Sequence, residues 1–148
     1  MDRKFASDFT EYHYKNIRKD LTLIDIDACQ YRKMKDGKER IRFIEYKHMN
    51  ERHGHMQMEV LKRFKHYFNA LNKIASKTKF ELFMITADFK KNHFNKDFIL
   101  ENNHAVVFNF MEKTTKIINE NNLISFLNFN KEFKELEEKI GKKIYGIN

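Results

Sequence analysis

Proline and tryptophan are absent from the 148 residues, and cysteine occurs once, at Cys29. A lone cysteine excludes an internal disulfide, and Cys29, with no activating pattern around it, reads as a small buried hydrophobe. Without Trp, packing falls to 15 Phe and 6 Tyr. No apolar run reaches the roughly 18 residues of a membrane span, and the N-terminal Met-Asp-Arg-Lys lacks a secretory apolar segment, so a cytoplasmic setting is expected. The missing proline goes with abundant Asn, Ile and Phe and with Lys used far more than Arg, as in an A- and T-rich coding sequence. That tempers the charge: the net +8 and pI near 9.5 permit a polyanionic partner such as nucleic acid, yet codon usage alone would produce much of it. At 41% hydrophobic residues, with no linker, repeat or low-complexity block, residues 1–148 suit one domain with its own core.

What is present centres on Leu21 to Lys47. Two apolar, β-branched runs, Leu21 to Tyr31 and Ile41 to Lys47, flank the polar segment Lys33 to Lys38 and predict an antiparallel hairpin. Both runs carry acids, which strands disfavour: Asp25 and Asp27 in the first, Glu45 in the second, followed by Tyr46 and Lys47. Alternation puts Leu23, Asp25 and Asp27 on one face and Phe43, Glu45 and Lys47 on one face. Whether the two faces coincide depends on the turn. A two-residue Asp36-Gly37 loop pairs Lys35 with Lys38, which sets Asp27 opposite Tyr46 and puts Glu45 on the other face. A three-residue Lys35-Asp36-Gly37 loop, with Gly37 left-handed, pairs Met34 with Lys38 and sets Asp27 opposite Glu45 and Asp25 opposite Lys47.

Elsewhere, Ser7 as a cap, Asp8, and Phe9, Tyr12 and His13 at helical spacing predict a short helix ending near Asn16, with Glu11 facing solvent. After a polar connection containing Gly54, Val60, Leu61, Phe64, Phe68, Leu71 and Ala75 mark the buried stripe of a long helix reaching about Ser76. Gln57 falls on that stripe at its first turn; Lys62, Arg63, Lys65, Asn69 and Lys73 form the solvated face. Phe80 to Thr86 is a strand covered on both sides, and the intervening helix makes it parallel to Ile41 to Lys47. Asp88 to Lys96 reads as a polar loop and Ala105 to Phe110 as a strand. Met111 to Asn122 suits helix or hairpin alike. Asn130 as cap, with Phe133, Leu136, Glu137 and Ile140, predicts a last helix ending at Gly141.

Asp27, Glu45 and Lys47, with Gln57 opening the next helix, resemble the PD-(D/E)xK nuclease superfamily. The closest look is to small phage or prophage nucleases and the VRR-NUC type, although Ile26 stands where the family usually has proline. The resemblance spans about the first two thirds of the chain. It implies an α/β fold with a restriction-endonuclease-like core (helix, antiparallel hairpin, helix, parallel strand) in a mixed central sheet with added C-terminal elements. It also implies a Mg²⁺- or Mn²⁺-dependent endonuclease acting on DNA in phage, recombination or repair processing, in the cytoplasm of a bacterial or phage-infected cell. Asp27, Glu45 and the Tyr46 carbonyl would hold the metal. Lys47 would orient water or offset charge, Gln57 would bond Lys47 or a phosphate, and Asp25 would hold a second metal or orient Lys47. Cutting both strands of a duplex favours a homodimer.

Plainer readings stand beside these. Glu45 and Lys47 also suit ordinary charge pairing on an exposed sheet face, and Gln57 suits a helix-end hydrogen bond. His48, His53 and His55 lack cysteine partners and ligand-like spacing for zinc. Two other functional classes compete: a nucleic-acid-binding or regulatory protein on the same fold without turnover, and a protein-interaction module.

Overall fold

The computed structural model describes Tyr12, Lys15, Asn16, residues 26–51 and residues 54–139. Their architecture is α/β, a mixed sheet in the order β1-β2-β3-β4-β5. The strands are β1 (Ala28–Lys33), β2 (Glu39–Lys47), β3 (Thr78–Lys91), β4 (Phe98–Asn109) and β5 (Thr114–Ile118). Helix α1 (His55–Ile74) connects β2 to β3, and α2 (Glu120–Leu127) follows β5. No helix among the described residues is long and apolar enough to cross a membrane. Tyr12, Lys15 and Asn16 are helical, as expected; Ser7, Asp8, Phe9, Glu11 and His13 lie outside the described residues.

The β1–β2 hairpin takes the three-residue loop. Met34 N–H donates to the Lys38 carbonyl at 2.7 Å, Gly37 N–H donates to the Met34 carbonyl at 3.0 Å, and Gly37 sits at φ 86°. Glycine reaches that left-handed backbone without a Cβ penalty. The consequence is the even register: Lys33 pairs with Glu39 and Ala28 with Ile44, so the next pair outward is Asp27 with Glu45. Strand β3 is parallel to β2, with Glu45 beside Met84 and Lys47 beside Thr86.

Alternation along β2 divides the sheet into two packed faces. Phe43 and its odd-numbered neighbours face α1, where Leu61, Leu82, Met84 and Phe110 form the buried centre with Met58, Phe64 and Phe68 around them. Ile44 and Tyr46 face the other side, where Phe83, Ile85, Val107, Leu123, Phe126 and Phe133 pack. Arg42 belongs to that second face and is fully buried. Its guanidinium lies 4.0 Å from the ring centroids of both Phe126 and Phe129, and its Nη1 donates to the Phe126 carbonyl at 2.7 Å. Arg40 beside it binds Glu81 and Glu132 together.

Several expectations need correction. Cys29 is exposed, because β1 is an edge strand and contributes nothing to the cluster under α1. Strand β3 runs on to Lys91 and β4 starts at Phe98, so Asp88 to Lys91, expected as the start of a loop, are strand, and the loop is confined to the residues after them. Met111 to Asn122 holds both alternatives in succession, a tight turn into β5 and then α2. The expected last helix is a single 3-10 turn, Phe133–Glu135, closed by reciprocal bonds between Glu132 and Glu135; Ile140 and Gly141 lie outside the described residues. On α1, Leu71 is exposed. Asn72 turns to the sheet instead, its amide exchanging hydrogen bonds of 3.0 and 2.7 Å with the Phe80 backbone.

Candidate active site

The end of β2 gathers four of the residues singled out in the sequence. Glu45 and Lys47 are both buried, on the face under α1, and Lys47 Nζ lies 3.3 Å from Glu45 Oε1. Gln57, at the first turn of α1, donates from Nε2 to the same Glu45 oxygen at 2.7 Å. Asp27, just before β1, accepts the Tyr46 N–H on Oδ2 at 2.7 Å. An extended residue sends its N–H and C=O to the same strand edge, so the Tyr46 carbonyl also faces the Asp27 side. The register set by Gly37 is what brings the two acids to one place. Asp25 and His53 lie outside the described residues.

The electrostatics of Glu45 follow from this crowding. Burial, and then the charge of Asp27, push its carboxyl up to about 7, against the opposing pull of Lys47 and Gln57. Its second oxygen, Oε2, is buried with no hydrogen-bond partner. A buried carboxylate oxygen without a donor is costly, and either a proton or a cation relieves it. For Lys47, burial works against the charge, but hydrogen bonds and charge from Glu51 and Glu45 outweigh it and raise the ammonium above its ordinary value.

Glu51 has no counterpart among the residues singled out in the sequence. It lies in the β2–α1 connection, four residues after Lys47, and its Oε2 is 3.2 Å from Lys47 Nζ. The backbone N–H of His48 donates to Glu51 Oε1 at 3.3 Å; that bond leads the causes holding its carboxyl below the usual range. The i, i+4 spacing was the available signal. The same connection is tied to the end of β3, because Met49 N–H donates to Asp88 Oδ1 at 3.2 Å and His48 Nδ1 lies 3.4 Å from that oxygen. Tyr46 reaches the other way, its hydroxyl donating to the Ala87 carbonyl at 2.8 Å.

No family model, curated protein or solved structure matches this chain. Among the described residues, no group of three or more His, Cys, Asp and Glu is placed to hold a metal ion. The oxygens at hand are the carboxylates of Asp27 and Glu45 and the Tyr46 carbonyl. Hard Mg²⁺ commonly takes one or two carboxylates and completes its shell with water and substrate, so this set fits Mg²⁺ or Mn²⁺ and not zinc.

Proposed function

We propose that the chain is a divalent-metal-dependent deoxyribonuclease whose helix, hairpin, helix and parallel strand form a restriction-endonuclease-like core. The observation that carries this reading is the state of Glu45: one oxygen takes both Lys47 and Gln57, the other is buried with no hydrogen-bond partner, and Asp27 lies beside it bonded to the Tyr46 N–H. Mg²⁺ or Mn²⁺ held by Asp27, Glu45 and the Tyr46 carbonyl would supply an activated water and offset charge on the scissile phosphate. Lys47 brings a cation to the pair. Anchored by Glu45 and Glu51, it presents its charge in a fixed place, where it stabilises negative charge developing on a phosphate without reorganising. Gln57 holds the Glu45 carboxylate in one rotamer, leaving the other oxygen to the metal. The net charge of +8 suits a DNA partner.

A second reading, a nucleic-acid binder without turnover, is favoured by one observation: the absence, among the described residues, of a third carboxylate or histidine placed with the pair to hold a metal. Titrating Mg²⁺ and Mn²⁺ against plasmid, linear duplex, single-stranded and branched DNA separates the two. Metal-dependent cleavage that disappears in Lys47→Ala supports the nuclease; retained binding with no cut product in any substrate supports the binder.

A further inference from the structure

On the same face of the sheet as Glu45, a groove of about 580 Å³ opens between α1 and the β4 side. Met58, Phe108 and Phe110 supply its apolar surface, and the two rings meet edge to face at 4.8 Å. Phe110 is buried, but Phe108 is only half-buried. Lys62, Lys65 and His66 rim it from α1, and Lys113 rims it from the β4–β5 turn. Among the described residues no carboxylate lines it; Glu59, 3.6 Å from Lys62, stands outside. Lys113 is held at φ 57°, a left-handed position at which glycine or asparagine would sit with less strain.

The register locates the groove relative to the site. Glu45 is beside Met84, and Met84 is beside Phe108, so the three form one row across the sheet. Two strand spacings put the Phe108 backbone about 10 Å from that of Glu45. Between them lies the first turn of α1, where Gln57 reaches Glu45 and the next residue, Met58, lines the groove.

We infer that the groove holds an unpaired nucleotide of single-stranded DNA, one base against Phe108 and the adjoining phosphates on Lys62, Lys65 and Lys113. The volume is in the range of a small-ligand site, and an aromatic surface ringed by cations is how proteins hold single strands, because every base has a face to stack and every nucleotide of the strand carries a phosphate. A stacked duplex keeps its bases paired and offers the aromatic surface nothing. The inference names a substrate class for the proposed nuclease and rests on that reading for its purpose, but binding measured without metal tests it separately.

The experiment is fluorescence anisotropy in EDTA with a dye-labelled single-stranded oligonucleotide and the matching duplex. The parent is expected to bind the single strand at least about 10-fold more tightly than the duplex. The triple variant Lys62→Glu, Lys65→Glu, Lys113→Glu should lower single-strand affinity by about 30-fold or more. Its log-log salt slope should shrink by about 2, at roughly 0.7 for each phosphate that the protein no longer neutralises. Phe108→Leu keeps an apolar side chain, somewhat smaller, and removes the π face; it should cost about 5-fold or more for the single strand and leave the salt slope and duplex binding unchanged. If that variant melts too low to compare, quenching of a 2-aminopurine base in the bound oligonucleotide reports the stack in the parent, and the triple variant should relieve it. Equal affinity of the parent for duplex and single strand, an unchanged slope in the triple variant, or an unquenched 2-aminopurine would each overturn the inference. Single-strand binding through the groove with no cleavage of any DNA would uphold it and sink the nuclease reading instead.

Discussion

Glu45→Gln should make the metal-free protein more stable and make it deaf to metal, a pairing that a merely structural carboxylate would not give. The glutamine keeps an oxygen to accept from Gln57 and Lys47 but carries no charge. In the parent, the folded carboxyl sits at about 7 against an ordinary value of 4.5. The folded state therefore binds this proton more tightly than the unfolded chain does. Stability from that source is complete below about pH 4.5 and is lost as the pH rises through about 7. The gap is worth about 3 kcal/mol at most, and about 2 once solvent at the open edge screens it. Glutamine loses nothing over the same interval.

Melting curves in EDTA should accordingly show the advantage of Glu45→Gln over the parent growing by about 6 °C between about pH 5 and pH 8, since 1 kcal/mol moves a domain of this size by roughly 3 °C. Adding Mg²⁺ or Mn²⁺ to about 100 times its dissociation constant stabilises the parent by about 2.7 kcal/mol through mass action, a rise of about 8 °C. Neither Glu45→Gln nor Asp27→Asn should show that rise. If the variant and parent have parallel melting profiles against pH, Glu45 is not the strained acid the geometry makes it. A metal shift that persists in Glu45→Gln refutes the donor set.

Three further outcomes follow from other parts of the molecule. Lys47→Ala should leave the circular dichroism spectrum unchanged and lower metal-dependent cleavage by at least about 100-fold, read as single-turnover rate on whichever DNA the parent cuts. Gly37→Ala meets no atom within 4 Å, so its cost is the backbone alone: about 1–2 kcal/mol by chemical denaturation, with Gly37→Asn costing less. Equal losses for alanine and asparagine would show that φ is not the cause. Arg42→Ala removes the cation from between Phe126 and Phe129 and should cost about 3 kcal/mol or more, seen as a fall in melting temperature of about 10 °C. A fall under about 2 °C would mean that the stack contributes nothing net.

The features that proved legible in the sequence are those where one residue type admits one geometry. Gly37 is one for its own backbone, since a turn glycine suits a left-handed φ, although two- and three-residue loops both accept it and the Met34–Lys38 bond of the structure decides which acids share a face. The parallel placement of Phe80 to Thr86 is another, because a strand, a long helix and a strand leave few ways to close. The inward direction of Gln57 was legible from its place on an apolar stripe, but its partner is Glu45 where Lys47 or a phosphate was expected. The misreadings fall where a side chain's environment comes from distant chain. Cys29 looked like core by its own chemistry, but its exposure is set by the position of β1 at the sheet edge. Phe133 and Leu136 have helical spacing and are both buried, yet the Glu132 and Glu135 cap closes only one 3-10 turn between them. Lys62 and Lys65 alternate with the stripe as any solvated helix face would. Only the pairing of β4 with β3 brings Phe108 beneath that face, and so turns an ordinary run of lysines into the rim of a groove one row across the sheet from Glu45.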